Sequence, residues 1–216
     1  EISLISLAIL ILGLSDDIKP LPIAIRLILQ ILISWAVILA TDIYIKDLGD
    51  LLGFGNIVLG ELGIPITIFM VVGICNAFNM LDGIDGLVVA VAFAVFSSIS
   101  ILSLINGSDL SMVFIPSVIL FGFLLFNLGL LGKKRKMFLG DSGSMWLGFI
   151  TAWSLIVFSQ GEKALLSPPI ALWMVMLPLI DALSTFLTRM RRGNPIFSGD
   201  RTHIHHIMLD SGIEKW

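Results

Sequence analysis

An all-α bundle that crosses a membrane several times is the fold class predicted here, and three observations predict it. Apolar residues make up 57% of the 216 and only 13% are charged, where a soluble domain carries about 25%. Apolar runs of about the length that spans a bilayer recur from one end of the chain to the other. The basic residues between those runs fall almost entirely on one side of the implied alternation. The mean hydropathy of +1.03 agrees, and together these features exclude a soluble globular domain. A single cysteine, Cys75, excludes a disulfide framework and reads as a small buried hydrophobe.

Taken in order, the apolar runs cover about residues 2–14, 21–41, 64–80, 86–105, 112–132, 143–159 and 168–188, so about seven spans are expected. The first run is short of the usual span of about 20 residues. No initiator Met and no basic leader precede it, so it is not a signal peptide. The third run is extended by Met80 and Leu81. The chain is expected to be one membrane domain, 1–216, truncated at both ends. Between the second and third runs, residues 42–63 carry Gly49, Gly53, Gly55, Gly60 and Gly63, which predicts a hairpin or a short interfacial helix outside the lipid. Gly122, Pro116 and Pro178 fall inside spans, where membrane helices tolerate them.

Seven spans put the loops at 15–20, 76–86, 133–142 and 189–216 on one side. That side holds Lys19, Arg26, Lys133, Lys134, Arg135, Lys136, Arg189, Arg191, Arg192, Arg201 and Lys215; the other holds only Lys46 and Lys163. Such a bias marks the first side as cytoplasmic. The same side collects the polar clusters, which predicts one site rather than scattered loop charge.

The densest cluster is Asn76-Ala-Phe-Asn79-Met-Leu-Asp82-Gly-Ile-Asp85-Gly-Leu87. Ionisable groups beside a bilayer core are costly and usually functional. Asp82 and Asp85 are three apart, as are Asn76 and Asn79, so a helical turn puts each pair on one face. A role as interhelical polar glue is the plainer alternative. Asp16 and Asp17 are adjacent carboxylates that repel unless a cation or proton relieves them, a task suited to Mg²⁺; helix capping competes with that reading. Gly140-Asp141-Ser142-Gly143-Ser144 opens a span and suits a metal ligand or a phosphate turn. The basic run Lys133–Lys136 before it reads as topogenic or lipid-binding. Asp181, near the end of the last span, reads as half of an ion pair. The basic and histidine loop 189–216 holds every histidine, His203, His205 and His206, close to Arg192 and Arg201. Zinc is one reading, but no His-Glu-x-x-His exists, and Arg with His fits a polyanionic substrate better. Carboxylates for a metal and basic groups for phosphate suggest phosphoryl transfer. No P-loop sequence is present.

These motifs, in this order and spacing, resemble those of the polyprenyl-phosphate N-acetylhexosamine-1-phosphate transferases, over nearly the whole chain. Asn76 to Leu87 looks like the family's Asn/Asp-rich loop, Phe138-Leu-Gly-Asp141-Ser-Gly-Ser like its Gly-Asp motif, and Asp16-Asp17 like its aspartate pair. Asp200-Arg-Thr-His203-Ile-His205-His206 looks like the histidine motif of the branch that uses UDP-N-acetylglucosamine; the peptidoglycan branch carries a run of adjacent histidines. The resemblance implies a bundle of the glycosyltransferase family 4 type in a bacterial inner membrane, with the site cytoplasmic. It implies transfer of GlcNAc-1-phosphate from UDP-GlcNAc to undecaprenyl phosphate with Mg²⁺ or Mn²⁺, in the first membrane step of an O-antigen or related envelope polysaccharide. Nucleic acid is not among the expected partners; a homodimer is. Asp141 and Asp17 are implied metal ligands. Asp16, Asp17, Asp82, Asp85, Asp141 and His203 are the implied catalytic set. Asn76, Asn79, Arg192, Arg201, His205 and His206 are implied substrate contacts. Family members are longer, with spans before and after this region, and many carry a further Asp after the aspartate pair, where Ile18-Lys19-Pro20 follows here.

Other classes fit less well. The peptidoglycan enzyme that transfers phospho-MurNAc-pentapeptide is the near alternative. A secondary transporter would place acids mid-span and show paired halves, and neither is seen. The spaced aspartates of CDP-alcohol phosphotransferases and the helix motif of intramembrane metalloproteases are missing. A non-catalytic scaffold is the remaining class.

Overall fold

The computed structural model describes residues 1–108, 111–161 and 164–192. Among these the chain is helical, apart from one isolated antiparallel bridge, Asp47 to Val58. The helices are α1 (Ile2–Ile18), α2 (Ile23–Thr41), α3 (Gly63–Leu81), α4 (Leu87–Ile105), α5 (Ser111–Asn127), α6 (Gly140–Ser159), α7 (Pro168–Met174) and α8 (Met176–Arg192). Each predicted apolar run therefore becomes a helix or, in the last case, a pair. Four of them, α2, α4, α6 and the stretch Gly60–Leu81, are long and apolar enough to cross a membrane. The bent pair α7–α8 makes a fifth if it counts as one span, while α1 and α5 are apolar but have 17 residues each. The structure thus supports a polytopic membrane protein without fixing the count at seven.

Several predicted boundaries shift: α1 runs on through Asp16 and Asp17 to Ile18, α3 runs through Asn76 and Asn79 to Leu81, and α6 begins at Gly140. Two further shifts have a clear physical reason. The last run is not one helix: α7 and α8 meet at a bend of 70°. Pro178 lacks the N–H that would bond the Met174 carbonyl, and its ring crowds that carbonyl. The helix breaks at Val175 and restarts where the Leu179 N–H reaches the Val175 carbonyl, at 3.2 Å. The fifth run ends early, at Asn127, in a turn with Gly129 and Gly132 at positive φ. The glycine-rich stretch after α2 is the hairpin alternative: the Leu48 N–H bonds the Ile57 carbonyl, and the Leu59 N–H that of Lys46.

Helix α6 is the axis of the bundle. Its apolar window is 67% buried, against 22% for α2, and Phe149 and Trp153 lie wholly inside with Phe78 of α3. Small residues permit this. A Cβ on Gly148 would sit 2.9 Å from the Cys75 Cα, and one on Gly13 would sit 2.3 Å from the Ser142 Cα. Helices α3 and α1 therefore cross α6 almost backbone to backbone, the packing that small residues allow in membranes. The outward faces of α1 and α2 (Leu4, Ile11, Ile28, Leu32 and Leu39) are exposed and apolar, as expected of surfaces solvated by lipid.

The helices alternate in direction, so the 15–22, 82–86 and 128–139 connections gather at one end. At the opposite end the Gln160 side chain takes the Lys46 and Asp47 amides at 2.9 and 3.3 Å and donates to the Asp47 carbonyl.

Candidate active site

The gathered end is built around the start of α6. A helix leaves its first amides without intrahelical partners. Residue Leu139, at the N-cap, has an apolar side chain and makes no cap bond. The missing acceptor comes from another helix. Asp17, at the end of α1, takes the Asp141 amide on Oδ1 at 3.0 Å and the Ser142 amide on Oδ2 at 3.1 Å. An anion is favoured there by the helix dipole as well. The turn into α6 needs Gly140, whose φ is +69°.

Asp16 behaves differently. Successive residues on a helix point about 100° apart, so the pair splits. Asp16 is buried. Its Oδ2 meets Arg26 Nη1 at 2.8 Å and its Oδ1 accepts the Leu21 amide at 2.7 Å. Charge repulsion between the two carboxylates is thus relieved by Arg26 on one side and by α6 amides on the other. The two side chains therefore have different partners. Asp16 belongs to the junction of α1 and α2.

From α3 comes Asn79, whose Nδ2 donates to Asp141 Oδ1 at 2.9 Å and to Ser144 Oγ at 3.1 Å. Both of its N–H protons are thereby used, and its carbonyl oxygen takes no hydrogen bond from the described residues. Asn76, one turn earlier, faces the bundle: its Nδ2 donates to Gln30 Oε1 at 2.7 Å and to the Val72 carbonyl at 2.8 Å. Beyond α3, Asp82 sits in the turn before α4. Desolvation, then the neighbouring charges of Asp141 and Asp85, push its pKa up to about 7. Three carboxylates crowd together at this point.

Asp85 is neutralised by Lys136, whose Nζ lies 2.6 Å from its Oδ2. One member of the basic run therefore has a defined partner besides any topogenic role. Asn127 joins the same two connections: its Oδ1 takes the Gly86 amide and its Nδ2 donates to the Met137 carbonyl. Sequence reasoning missed Asn127 and Gln30 as organising residues. The signal for Gln30 was visible, a lone amide inside an otherwise apolar run. Asn127 had only its place at the end of one.

Arg192 ends α8, and its side chain, with Arg201, His203, His205 and His206, lies outside the described residues. Asp181 and Arg189 are both buried on α8, and each has an interaction partner.

Among the described residues no three His, Cys, Asp or Glu side chains gather tightly enough to hold a metal alone. The donor set nevertheless suits a hard cation shared with a phosphate ligand. It consists of the Asp141 carboxylate, the unengaged Asn79 carbonyl oxygen and the crowded Asp82. Mg²⁺ characteristically takes one or two protein carboxylates and completes its shell with substrate phosphates and water.

The chain is similar in sequence to known proteins. The family model described as glycosyl transferase family 4 matches residues 1–159. The chain is 36% identical over 204 residues to the undecaprenyl-phosphate alpha-N-acetylglucosaminyl 1-phosphate transferase of Yersinia pestis, covering 93% of this chain and 56% of that protein. It is 34% identical to the protein of the same name from Escherichia coli (strain K12), over 94% and 56%. To that from Haemophilus influenzae it is 36% identical over 95% and 59%. The chain thus spans a little over half the length of these relatives.

Proposed function

The chain belongs to glycosyl transferase family 4, and from that membership we propose that the full-length protein transfers GlcNAc-1-phosphate from UDP-GlcNAc to undecaprenyl phosphate. The products are undecaprenyl-diphosphate-GlcNAc and UMP. The site lies on the cytoplasmic face of a bacterial inner membrane, as the sorting of Lys and Arg supports, and the reaction begins an O-antigen or related envelope polysaccharide. The observation that carries the reading is the meeting of Asp17, Asn79, Asp82 and Asp141, from three separate parts of the sequence, at the start of one helix.

The chemistry follows from those residues. A phosphate oxygen of the lipid attacks the sugar-bearing phosphorus of the donor, a new P–O bond forms, and the bond to UMP breaks with its electron pair leaving on UMP. A phosphate monoester is largely dianionic at neutral pH, its second pKa being about 6, so direct in-line attack needs little help from a base. The chain's task is placement and charge neutralisation. Asp141, with the Asn79 carbonyl oxygen, would hold Mg²⁺ or Mn²⁺, which neutralises charge on the diphosphate. Asp17 holds the α6 amides, and with them the backbone that carries Asp141; both its oxygens are so engaged that we assign it positioning ahead of ligation. Asp82 is poised to lose its proton as a cation arrives, and Asp85 is held by Lys136. Arg192, Arg201, His203, His205 and His206 are assigned to the diphosphate and the sugar.

The test is a donor assay on the purified full-length protein with undecaprenyl phosphate. UMP release from UDP-GlcNAc that requires Mg²⁺ or Mn²⁺ is expected. A clear preference for UDP-MurNAc-pentapeptide would move the protein to the peptidoglycan branch.

A further inference from the structure

We propose that Gln30 is a positioning residue for the cation site: it ties down the Asn76 amide nitrogen and so sets the face that α3 turns toward Asp141. The inference rests on the transferase reading above.

Gln30 lies in the apolar interior of α2 and is 1% exposed. Burying an amide is unfavourable unless it is well bonded. Among the described residues the Gln30 Nε2 finds only sulfur, Met145 Sδ at 3.4 Å and Cys75 Sγ at 3.6 Å, and both are weak acceptors. An apolar side chain would suit those neighbours better. What Gln30 gives is its Oε1, which takes the Asn76 N–H at 2.7 Å. With its other N–H on the Val72 carbonyl, Asn76 has no donor left for a ligand. Only its carbonyl oxygen remains, so it can meet a cation or an N–H or O–H donor, but not a phosphate or a uracil carbonyl.

The tie reaches the site through α3. Cys75 Sγ donates to the Met145 carbonyl at 3.1 Å, and Asn79 bonds Ser144 and Asp141. Gln30 thus touches both partners of the α3–α6 contact immediately beside the residues that hold Asp141. Rotation of α3 would swing Asn79 away from Asp141. Gln30 and Asn76 oppose that rotation, in the way that outer partners orient metal ligands.

The experiment uses the full-length protein with Gln30→Met, an apolar side chain of similar length, and the exchanged pair Gln30→Asn with Asn76→Gln. Three readings are taken: Mn²⁺ affinity with UDP present by electron paramagnetic resonance, kcat and KM for UMP release, and thermal stability. Gln30→Met should weaken Mn²⁺ binding and lower kcat by about tenfold or more, with KM for the donor little changed. The exchanged pair should recover a large part of both losses. Wild-type Mn²⁺ affinity in Gln30→Met would overturn the proposal. So would an exchanged pair that regains stability but not affinity; this second variant decides the matter if Gln30→Met does not fold. A wild-type protein that binds no Mn²⁺ and releases no UMP would instead overturn the functional reading, taking this inference with it.

Discussion

Replacing Gly13 with alanine should disable the site from a position that touches no ligand. The added Cβ would lie 2.3 Å from the Ser142 Cα and 3.0 Å from the Ser142 amide nitrogen. Ordinary contact begins near 3.4 Å, so at the closest point α1 must retreat from α6 by 3.4 − 2.3, about 1.1 Å. The obstacle is backbone and cannot rotate aside. Asp17 lies four residues on, along the same face of α1. Its bonds to the α6 amides are already 3.0 and 3.1 Å, so a comparable retreat carries both past the range of about 2.7–3.2 Å in which such bonds form.

The cost has two parts. Overpacking of this kind destabilises by about 1–3 kcal/mol. Misplacement of about 1 Å at a positioned reacting group can cost about 100-fold in rate. Gly73 is the internal control. It lies in α3, and a Cβ added there would meet nothing within 4 Å, so Gly73→Ala should leave activity intact. Thermal unfolding in detergent and metal-dependent UMP release on the two variants make the comparison. A Gly13→Ala protein with wild-type turnover would refute the claim that the α1–α6 crossing sets the Asp17 contact.

The remaining predictions separate the carboxylates by role. Asp141→Asn should abolish metal-dependent UMP release while leaving the fold intact by thermal unfolding. Asp16→Asn should act mainly on stability, because it leaves Arg26 charged and poorly compensated, a loss of up to about 3–5 kcal/mol when one partner of a buried pair is removed; calorimetry or thermal unfolding reads it. Asp17→Asn should cost only about 1 kcal/mol, the usual scale for a lost cap, but should lower turnover far more than stability. Asp82 carries a pH signature. Its folded pKa of about 7 lies above the ordinary 3.8, so the folded state binds the proton more tightly, and metal-free stability should fall as pH rises from about 4 to about 7 and then level off. Over the same window Mn²⁺ affinity should rise, since the cation competes with that proton, and Asp82→Asn should flatten both profiles.

Much of this was legible in the sequence because lipid makes a stringent demand. Every apolar run had to become a helix, as no other local structure satisfies its backbone there, and each did. The boundaries that moved did so where hydropathy is blind. Pro178 is apolar by composition yet breaks the last run through its missing N–H. The stretch after Asn127 is apolar yet turns at Gly129 and Gly132. The site was legible as a set of motifs and not as a set of contacts. Asp16 and Asp17 look equivalent in a string of letters. On a helix they point to different neighbours, and only the three-dimensional partners, Arg26 for one and the α6 amides for the other, show which is a brace at the α1–α2 junction. Asn76 and Asn79 likewise share a motif and part company in space.

The pattern of spent hydrogen bonds decides what this end of the bundle can bind. Both N–H groups of Asn79 point to protein, as do both of Asn76. Lys136 is engaged with Asp85 and Arg26 with Asp16. These four side chains are therefore committed as donors, while carboxylate and carbonyl oxygens are left over around Asp141 and Asp82. A bare phosphate would meet repulsion there. A phosphate that arrives with a divalent cation would not, because the cation supplies the positive charge that the fold has withheld. The metal dependence proposed above accords with which side-chain atoms remain open. On the proposed reaction, a second phosphate ligand would draw on basic residues outside these committed pairs, among them Arg192, Arg201 and the three histidines of the last loop.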